Sequence, residues 1–299
     1  MAKKKTTTAR GMGDLLDGVI NPATAARVAK IRQKAAERAA NKPEKPPERA
    51  PVVQLPLWPN AIRAVPNTVL RSALFGVIQR GRRKFLDRVA VASIDGLNVR
   101  HTGPRLDQAD LDVWEQCLHL ARTSPLGDRL EFTSYSFLKA IGRGTGKSQR
   151  EWLKSALTRL QVSAVEIEES RRAYSGQLLR DYARNDQSGR YVIEVNPKII
   201  ALFGQDGWTG LEWEQRQALK RQPLAQWLHG FYSTHKNPHP YKVATLQRLC
   251  GSETKELYKF RQQLRKAMEQ VAAVTGWVLT IEDGDLLKVD KGGKRRLPK

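Results

Sequence analysis

The sequence predicts a helix-rich α+β fold in which two similar modules follow a basic, disordered N-terminal arm. A short helix, a turn, a longer helix and two strands are predicted in that order over residues 132–195, and the same order returns over residues 242–291. Residues 1–50 contain 12 Lys and Arg against 5 Asp and Glu, with almost no large hydrophobic residue after Ile31. This order of elements is typical of a winged helix-turn-helix domain. The expected divisions are a disordered basic arm with a Pro-rich linker over 1–50, winged-helix domains over 51–210 and 211–290, and a basic tail over 291–299.

The charge balance indicates a polyanionic partner. The 299 residues contain 52 Lys and Arg against 30 Asp and Glu, a net charge of +22, which attracts nucleic acid first and an anionic membrane surface second. No apolar run approaches the ~18 to 20 residues that span a bilayer, and the N-terminus lacks the apolar stretch of a secretory signal. We therefore expect a cytoplasmic protein with no membrane partner. Cys117 and Cys250 lie in apolar helical stretches, where reduced thiols pack as small hydrophobic groups.

Each element has a local signal. In the arm, the Ala-rich segment 23–40 is able to form a helix, alone or on a partner. Asp95-Gly96 within an alternating stretch predicts a hairpin, and apolar residues on one face predict a helix that ends at Ser124-Pro125. The remaining predictions for the first module are a short helix over 132–142, a longer one over 148–161, and a hairpin of strands 162–169 and 190–195 joined by an irregular basic segment.

The second module has matching signals. A hairpin turn is predicted at Asp283-Gly284. The predicted helices cover 223–235, 242–251 and 252–274.

The long helix of each module has an apolar stripe and an opposite basic and amide-bearing face. Lys and Arg suit phosphates and guanines, and Gln and Thr suit base edges, as a helix in the major groove requires. The alternative is that these faces only contact solvent. Two such basic faces in a chain of this charge favour DNA binding. The predicted DNA-contacting residues are Lys147, Arg150, Lys154, Thr158 and Gln161 in the first module and Lys255, Lys259, Gln262, Gln263 and Lys266 in the second.

Motifs that suggest an enzyme fail on inspection. The segment GRGTGKS at 142–148 resembles a phosphate-binding loop, but Ile141 occupies the position of the first required glycine and the preceding segment has helical spacing. Ser148 and Glu151 instead match a capping box. His119 and Arg122 have the H-x-x-R spacing of tyrosine recombinases, but the pair lies inside a predicted helix, and we interpret the match as a coincidence. We expect no catalytic residue, cofactor or metal, including at the loop histidines 235 and 239.

Several stretches resemble TrfA-type plasmid replication initiators. They cover residues 57–75, 114–142, 157–164, 195–203 and 229–252. The resemblance implies two winged-helix domains that bind direct repeats (iterons) at a plasmid origin, control of copy number, and melting of adjacent A·T-rich DNA that exposes single strands. It also implies recruitment of the host initiator DnaA, the replicative helicase and the sliding clamp. A homodimer is left open. The alternatives are a winged-helix transcriptional repressor at an operator and, third, an ATP-using replication enzyme.

The segment that precedes the first module has two interpretations. Gln54, Leu55, Leu57 and Trp58 resemble the bacterial clamp-binding box, in which an extended peptide places a glutamine amide and two apolar anchors in a pocket of the sliding clamp. Alternatively, Leu57 and Trp58 pack the arm against the first module. The residues leave the choice between these interpretations open.

Overall fold

The chain divides into two compact units, Met1–Pro51 and Val52–Lys299. This computed structural model describes residues 22–40, 53–78, 81, 83–169, 172–185, 187–204 and 206–292. In the first unit it describes one helix, α1 (Pro22–Ala40), which matches the predicted Ala-rich segment. The other predictions for residues 1–50, and those for residues 293–299, lie outside the described residues.

The second unit contains both helices and strands. Helices α2 to α9 cover Asn67–Leu70, Gln108–Ala121, Ser134–Ala140, Lys147–Val162, Trp213–Ala218, Pro223–Ser233, Val243–Leu249 and Leu257–Thr275, and a 3-10 helix covers Pro197–Phe203. Strands β1 to β7 cover Ile62–Pro66, Phe75–Gly76, Phe85–Val91, Leu97–Pro104, Leu106–Asp107, Arg129–Thr133 and Ala164–Glu169. Strands β8 to β14 cover Arg172–Gln177, Leu179–Asn185, Arg190–Val195, Trp208–Glu212, Tyr241–Lys242, Val278–Glu282 and Leu286–Asp290.

One topology occurs twice in this unit. In the first module a helix (α3) is followed by a strand (β6), a helix pair (α4 and α5) and, later, two strands (β9 and β10). The second module repeats this path as α7, β12, α8 with α9, and β13 with β14. The strand orders β6-β10-β9 and β12-β14-β13 are the same, because in both sheets the last strand lies in the centre. The two predicted helix pairs are therefore confirmed.

The predicted hairpin of residues 162–169 and 190–195 is wrong. Strand β7 pairs with β4 on one edge and β8 on the other, so both of its edges are occupied. Strand β10 pairs with β6 and β9 instead. The segment between them, predicted to be irregular, forms β8 and β9 with the buried Leu178 between them. A four-stranded sheet in the order β3-β4-β7-β8 is thus inserted into the first module.

Two hydrophobic cores underlie the two modules. The first contains residues from Leu55 to Leu211, and the second contains residues from Leu219 to Val289. Cys117 and Cys250 are buried free thiols, one in each core. Each core buries the apolar stripe of its module's long helix, which holds that helix in place.

The start of helix α5 differs from the prediction. The N-cap is Gly146, and no side chain caps the helix. Ser148 lies at the second helical position, because the helix begins one residue before the predicted cap, and the predicted Ser148–Glu151 capping box is therefore wrong. A capping box is present at α3, where the Asp107 side chain accepts hydrogen bonds from the backbone amides of Ala109 and Asp110.

Candidate DNA interface

Helix α5 is held in place by its apolar stripe. Leu153, Leu157 and Leu160 are fully buried, as their spacing predicted. Lys147 and Arg150 are exposed near the start of the helix. Lys154 is half-buried, and its Nζ lies 3.7 Å from a Glu151 carboxylate oxygen. Exposed ion pairs of this kind contribute little to stability, so the lysine remains available to a phosphate.

Two predicted base-contacting residues of α5 form hydrogen bonds with the neighbouring strand β9. The hydroxyl groups of Thr158 and Tyr182 lie 2.6 Å apart. The Gln161 amide donates a hydrogen bond to Asp181 at 3.1 Å. These contacts hold the hairpin of β9 and β10 against the helix, and they occupy part of the hydrogen-bonding capacity of each side chain.

Helix α9 has the same arrangement in the second module. Phe260, Leu264, Met268 and Val271 are buried as predicted, and Leu257 is partly buried. On the opposite side the predicted contacts Lys259, Gln262, Gln263 and Lys266 are exposed.

The loop before α9 determines how two of the predicted residues are used. Lys255 is exposed but precedes the helix, which begins at Leu257 rather than at the predicted residue 252. Gln263 accepts a hydrogen bond from the Thr254 hydroxyl at 3.1 Å. Gln263 therefore braces this loop as well as facing solvent.

The sequence interpretation missed two exposed residues of α9. Tyr258 is 58% exposed in the first helical turn, and the Lys259 Nζ lies 5.7 Å from its ring centroid. Arg265 is also exposed. Both lie on the same side of the helix as Gln262, so the helical spacing was a signal that could have found them. The N-terminal turns of DNA-recognition helices contact base edges, and an aromatic side chain there suits the methyl group of thymine.

The strand pairs beside both helices add further cations. Arg180 and Arg190 are exposed on the hairpin beside α5, where they pair with Glu194 and Glu131. Lys288 lies on the hairpin beside α9. Arg261 of α9 forms two hydrogen bonds with Asp285, at 2.8 and 2.9 Å, which fix this hairpin to the helix. Each module therefore presents a basic helix beside a hairpin whose cations are matched or outnumbered by acidic residues.

The segment before the first module is divided between core and solvent. Leu55 is 3% exposed and Trp58 is 6% exposed, whereas Leu57 is 71% exposed. The Gln54 amide donates to the backbone carbonyl of Arg122 at 3.2 Å. Packing against the first module is thus observed for Trp58 but not for Leu57, whose expected place is taken by Leu55. A clamp-bound state that uses Leu55 and Trp58 requires them to leave the core.

His119 and Arg122 hold this segment in place. The Trp58 indole N–H donates to His119 Nδ1 at 3.1 Å, and Arg122 Nε donates to the Trp58 carbonyl at 3.1 Å. Burial, together with the nearby guanidinium groups of Arg63 and Arg122, lowers the pKa of His119 to about 3, which keeps its ring neutral and able to accept. The recombinase-like spacing of these two residues therefore has a structural explanation.

The structure also bears on the 142–148 segment, on metal sites and on membrane spans. The segment 142–148 connects α4 to α5, so a helix precedes it, as the spacing predicted. Among the described residues, no group of three or more His, Cys, Asp and Glu side chains is arranged to hold a metal ion. Within the same part of the chain, every helix is too short or too polar to cross a membrane.

A family model and two curated relatives match this chain in sequence. The family model described as TrfA protein matches residues 22–287, and the chain belongs to the TrfA family. It is 29% identical over 223 residues to the plasmid replication initiator protein TrfA of Escherichia coli, covering 72% of this chain and 58% of that protein. It is 27% identical over 200 residues to RepFIB replication protein A of Escherichia coli, covering 63% of this chain and 61% of that protein. The chain thus spans about three fifths of the length of these curated relatives.

A solved structure shares the fold. The crystal structure of domains 2 and 3 of RctB matches with a TM-score of 0.53 and 12% sequence identity, covering 76% of this chain and 99% of that one. At this identity the likeness concerns the fold alone.

Proposed function

We propose that this chain is a plasmid replication initiator whose two modules are tandem winged helix-turn-helix domains that bind iterons at a plasmid origin. The observation that carries the proposal is the repeated topology, with a basic exposed helix in each copy, in a chain that belongs to the TrfA family. Helices α5 and α9 are the recognition helices. The hairpins β9–β10 and β13–β14 are the wings, which contact the flanking phosphates.

The proposed role is non-enzymatic and cytoplasmic. The protein acts by binding and deforming DNA, with opening of the adjacent A·T-rich duplex as the result. The resemblance extends the proposal to host partners: DnaA, the replicative helicase and the sliding clamp.

The test is a footprint on the non-coding DNA of the plasmid that carries the gene. Two recognition helices in successive major grooves protect roughly 20 base pairs, because the grooves lie one helical turn apart. Protection of several direct repeats beside an A·T-rich segment is the expected result. Protection limited to one turn contradicts the use of two modules, and protection of a single operator at a promoter favours the repressor alternative. Saturable ATP binding supports the ATP-using enzyme instead.

Side-chain variants locate the interface. Lys154→Ala and Lys259→Ala each remove one proposed phosphate contact, which flattens the dependence of affinity on salt by about one unit of slope. Arg100→Ala is the control, since Arg100 is an exposed cation on β4 of the inserted sheet. A slope that changes for Arg100→Ala and not for the two lysines would move the interface to that sheet.

The proposed clamp contact is tested at Leu57. Because this side chain is exposed, Leu57→Ala leaves the fold intact, so a loss of binding to the purified sliding clamp reports the contact itself. Iteron affinity is expected to stay unchanged. Normal clamp binding by Leu57→Ala and by Gln54→Ala contradicts the proposal.

A further inference from the structure

A buried guanidinium group lies at the joint between the two modules. Arg216 of α6 is fully buried, and its Nε lies 2.8 Å from a carboxylate oxygen of Asp112 and 2.8 Å from one of Glu115, both in α3 of the first module. Gln226 of α7, in the second module, donates to the same Asp112 carboxylate at 3.2 Å. Helices α3 and α7 occupy equivalent places in the two modules, so this cluster joins the modules through corresponding elements.

The charges of this cluster resist separation. Moving α7 away from α3 breaks the contacts of Gln226 with Asp112 and with Arg216, and a buried polar or charged group that loses its partner is strongly unfavourable. The chain between the two cores is also short, because Leu211 belongs to the first core and Leu219 to the second. The joint therefore has no free linker that could absorb a change of distance.

A second contact ties the first module to the turn that aims α9. Arg105 reaches across to the turn between α8 and α9, where it lies 2.8 Å from a Glu253 carboxylate oxygen and donates to the Gly251 carbonyl at 2.9 Å. The Val77 amide donates to the Cys250 carbonyl of the same turn at 2.7 Å.

The fit at this turn is close. A Cβ added at Gly251, whose φ is +62°, would lie 3.0 Å from the Ala73 Cβ. The direction of the second recognition helix is thus set in part by the first module.

We propose that these two contacts lock the modules at one separation, so that Arg216 and Arg105 are positioning residues that set the number of base pairs between the two half-sites of an iteron. The inference rests on the proposed function. One inserted base pair moves a half-site by about 3.4 Å and rotates it by about 35°, since a helical turn is about 34 to 36 Å and about 10 base pairs long. A rigid pair of recognition helices cannot follow both half-sites through that change, whereas a loosened pair can.

The experiment compares affinities for the native iteron and for iterons with one or two base pairs inserted between the half-sites defined by footprinting. The full chain is used. The wild-type protein is expected to lose at least roughly ten-fold in affinity for each insertion, which is the scale of one mismatched base pair. Arg105→Ala, at a partly exposed position, is expected to reduce that loss to about three-fold or less. Arg216→Met is expected to do the same more completely, with folding checked by circular dichroism.

A matched control is available inside the second module. Arg261→Ala breaks an ion pair of the same length, to Asp285, without touching the joint. It is expected to keep the wild-type insertion penalty, whatever its affinity for the native site.

The outcomes separate the two proposals. A wild-type protein that does not bind the native iteron contradicts the proposed function. A wild-type protein that binds but shows no insertion penalty contradicts the rigid joint alone. An unchanged penalty in Arg105→Ala, and in Arg216→Met if it folds, overturns the positioning role.

Discussion

Replacement of Trp58 by alanine is expected to destabilise the first module severely. The indole ring is 6% exposed, lies nearly parallel to Phe203 at a centroid distance of 6.3 Å, and packs on Trp208 at 6.2 Å. Its N–H group donates to His119. The side chain thus links the segment before β1 to the 3-10 helix, β11 and α3.

The magnitude follows from these contacts. Truncation of a buried Trp to Ala costs about 3 to 5 kcal/mol. The variant also leaves the buried His119 acceptor without its donor, which adds about 1 kcal/mol or more. The expected loss in the free energy of unfolding is therefore on the order of 5 kcal/mol. For a cooperative unit of this size, that corresponds to a fall in Tm of roughly 10 to 20 °C.

The assay is urea unfolding followed by far-ultraviolet circular dichroism, with Leu57→Ala as the neighbouring control. Leu57 is exposed, so its truncation is expected to change stability by less than about 0.5 kcal/mol. Trp58→Phe retains most of the packing but loses the hydrogen bond, and an intermediate loss is expected. If Trp58→Ala unfolds within about 1 kcal/mol of the wild type, or if Leu57→Ala is the more damaging change, the described packing of this segment is refuted.

Three further predictions concern the helix starts, the 142–148 loop and acid stability. Ser148→Ala is expected to change the free energy of unfolding by less than about 0.5 kcal/mol, whereas Asp107→Ala, at the observed capping box, loses at least about 1 kcal/mol in urea unfolding; the reverse ranking contradicts the observed helix starts. Lys147→Ala is expected to weaken DNA binding in a mobility-shift assay and to leave the protein without saturable ATP binding, as in the wild type; ATP binding that this variant abolishes argues for a phosphate-binding loop. Burial, with the nearby Arg105 charge, lowers the pKa of His101 to about 4. As the pH falls from 6.5 to 4, the unfolded chain therefore binds a proton at this residue that the folded protein does not. The free energy of unfolding decreases as the pH falls through this window. His101→Gln removes this contribution and is expected to lose ~3 kcal/mol less than the wild type between pH 7 and pH 4; parallel losses contradict a buried neutral ring.

Local signals explain what the sequence predicted well. The spacing of Leu153, Leu157 and Leu160 defines a buried helix face wherever the core lies, because the period belongs to the helix itself. Asp95-Gly96 and Asp283-Gly284 specify turns through the positive φ of their glycines, both +79°. The two helix pairs and their basic faces were therefore predictable.

The residues of the proposed DNA interface were predictable only in part. Helical period correctly assigned Gln262 and Lys266 to the exposed face, but it cannot show which side chains of such a face form hydrogen bonds with a strand distant in the sequence. Thr158 and Gln161 have the spacing of exposed residues and yet bond to β9, some 20 residues further along the chain. Tyr258 has that spacing too and is open to solvent.

The sequence by itself determined the helices, the turns and the excess of positive charge, since these depend on residues within a few positions of one another. Only the tertiary structure decided that β7 joins β4 rather than β10, that Leu55 rather than Leu57 is buried with Trp58, and that Arg216 lies between the modules. Strand partners and buried ion pairs are selected by packing energies between residues more than 100 positions apart, as with Arg216 and Asp112, whose separation is 104. No local pattern records those energies, because an alternating strand offers the same edge to any partner and an arginine carries the same charge in solvent as in a core.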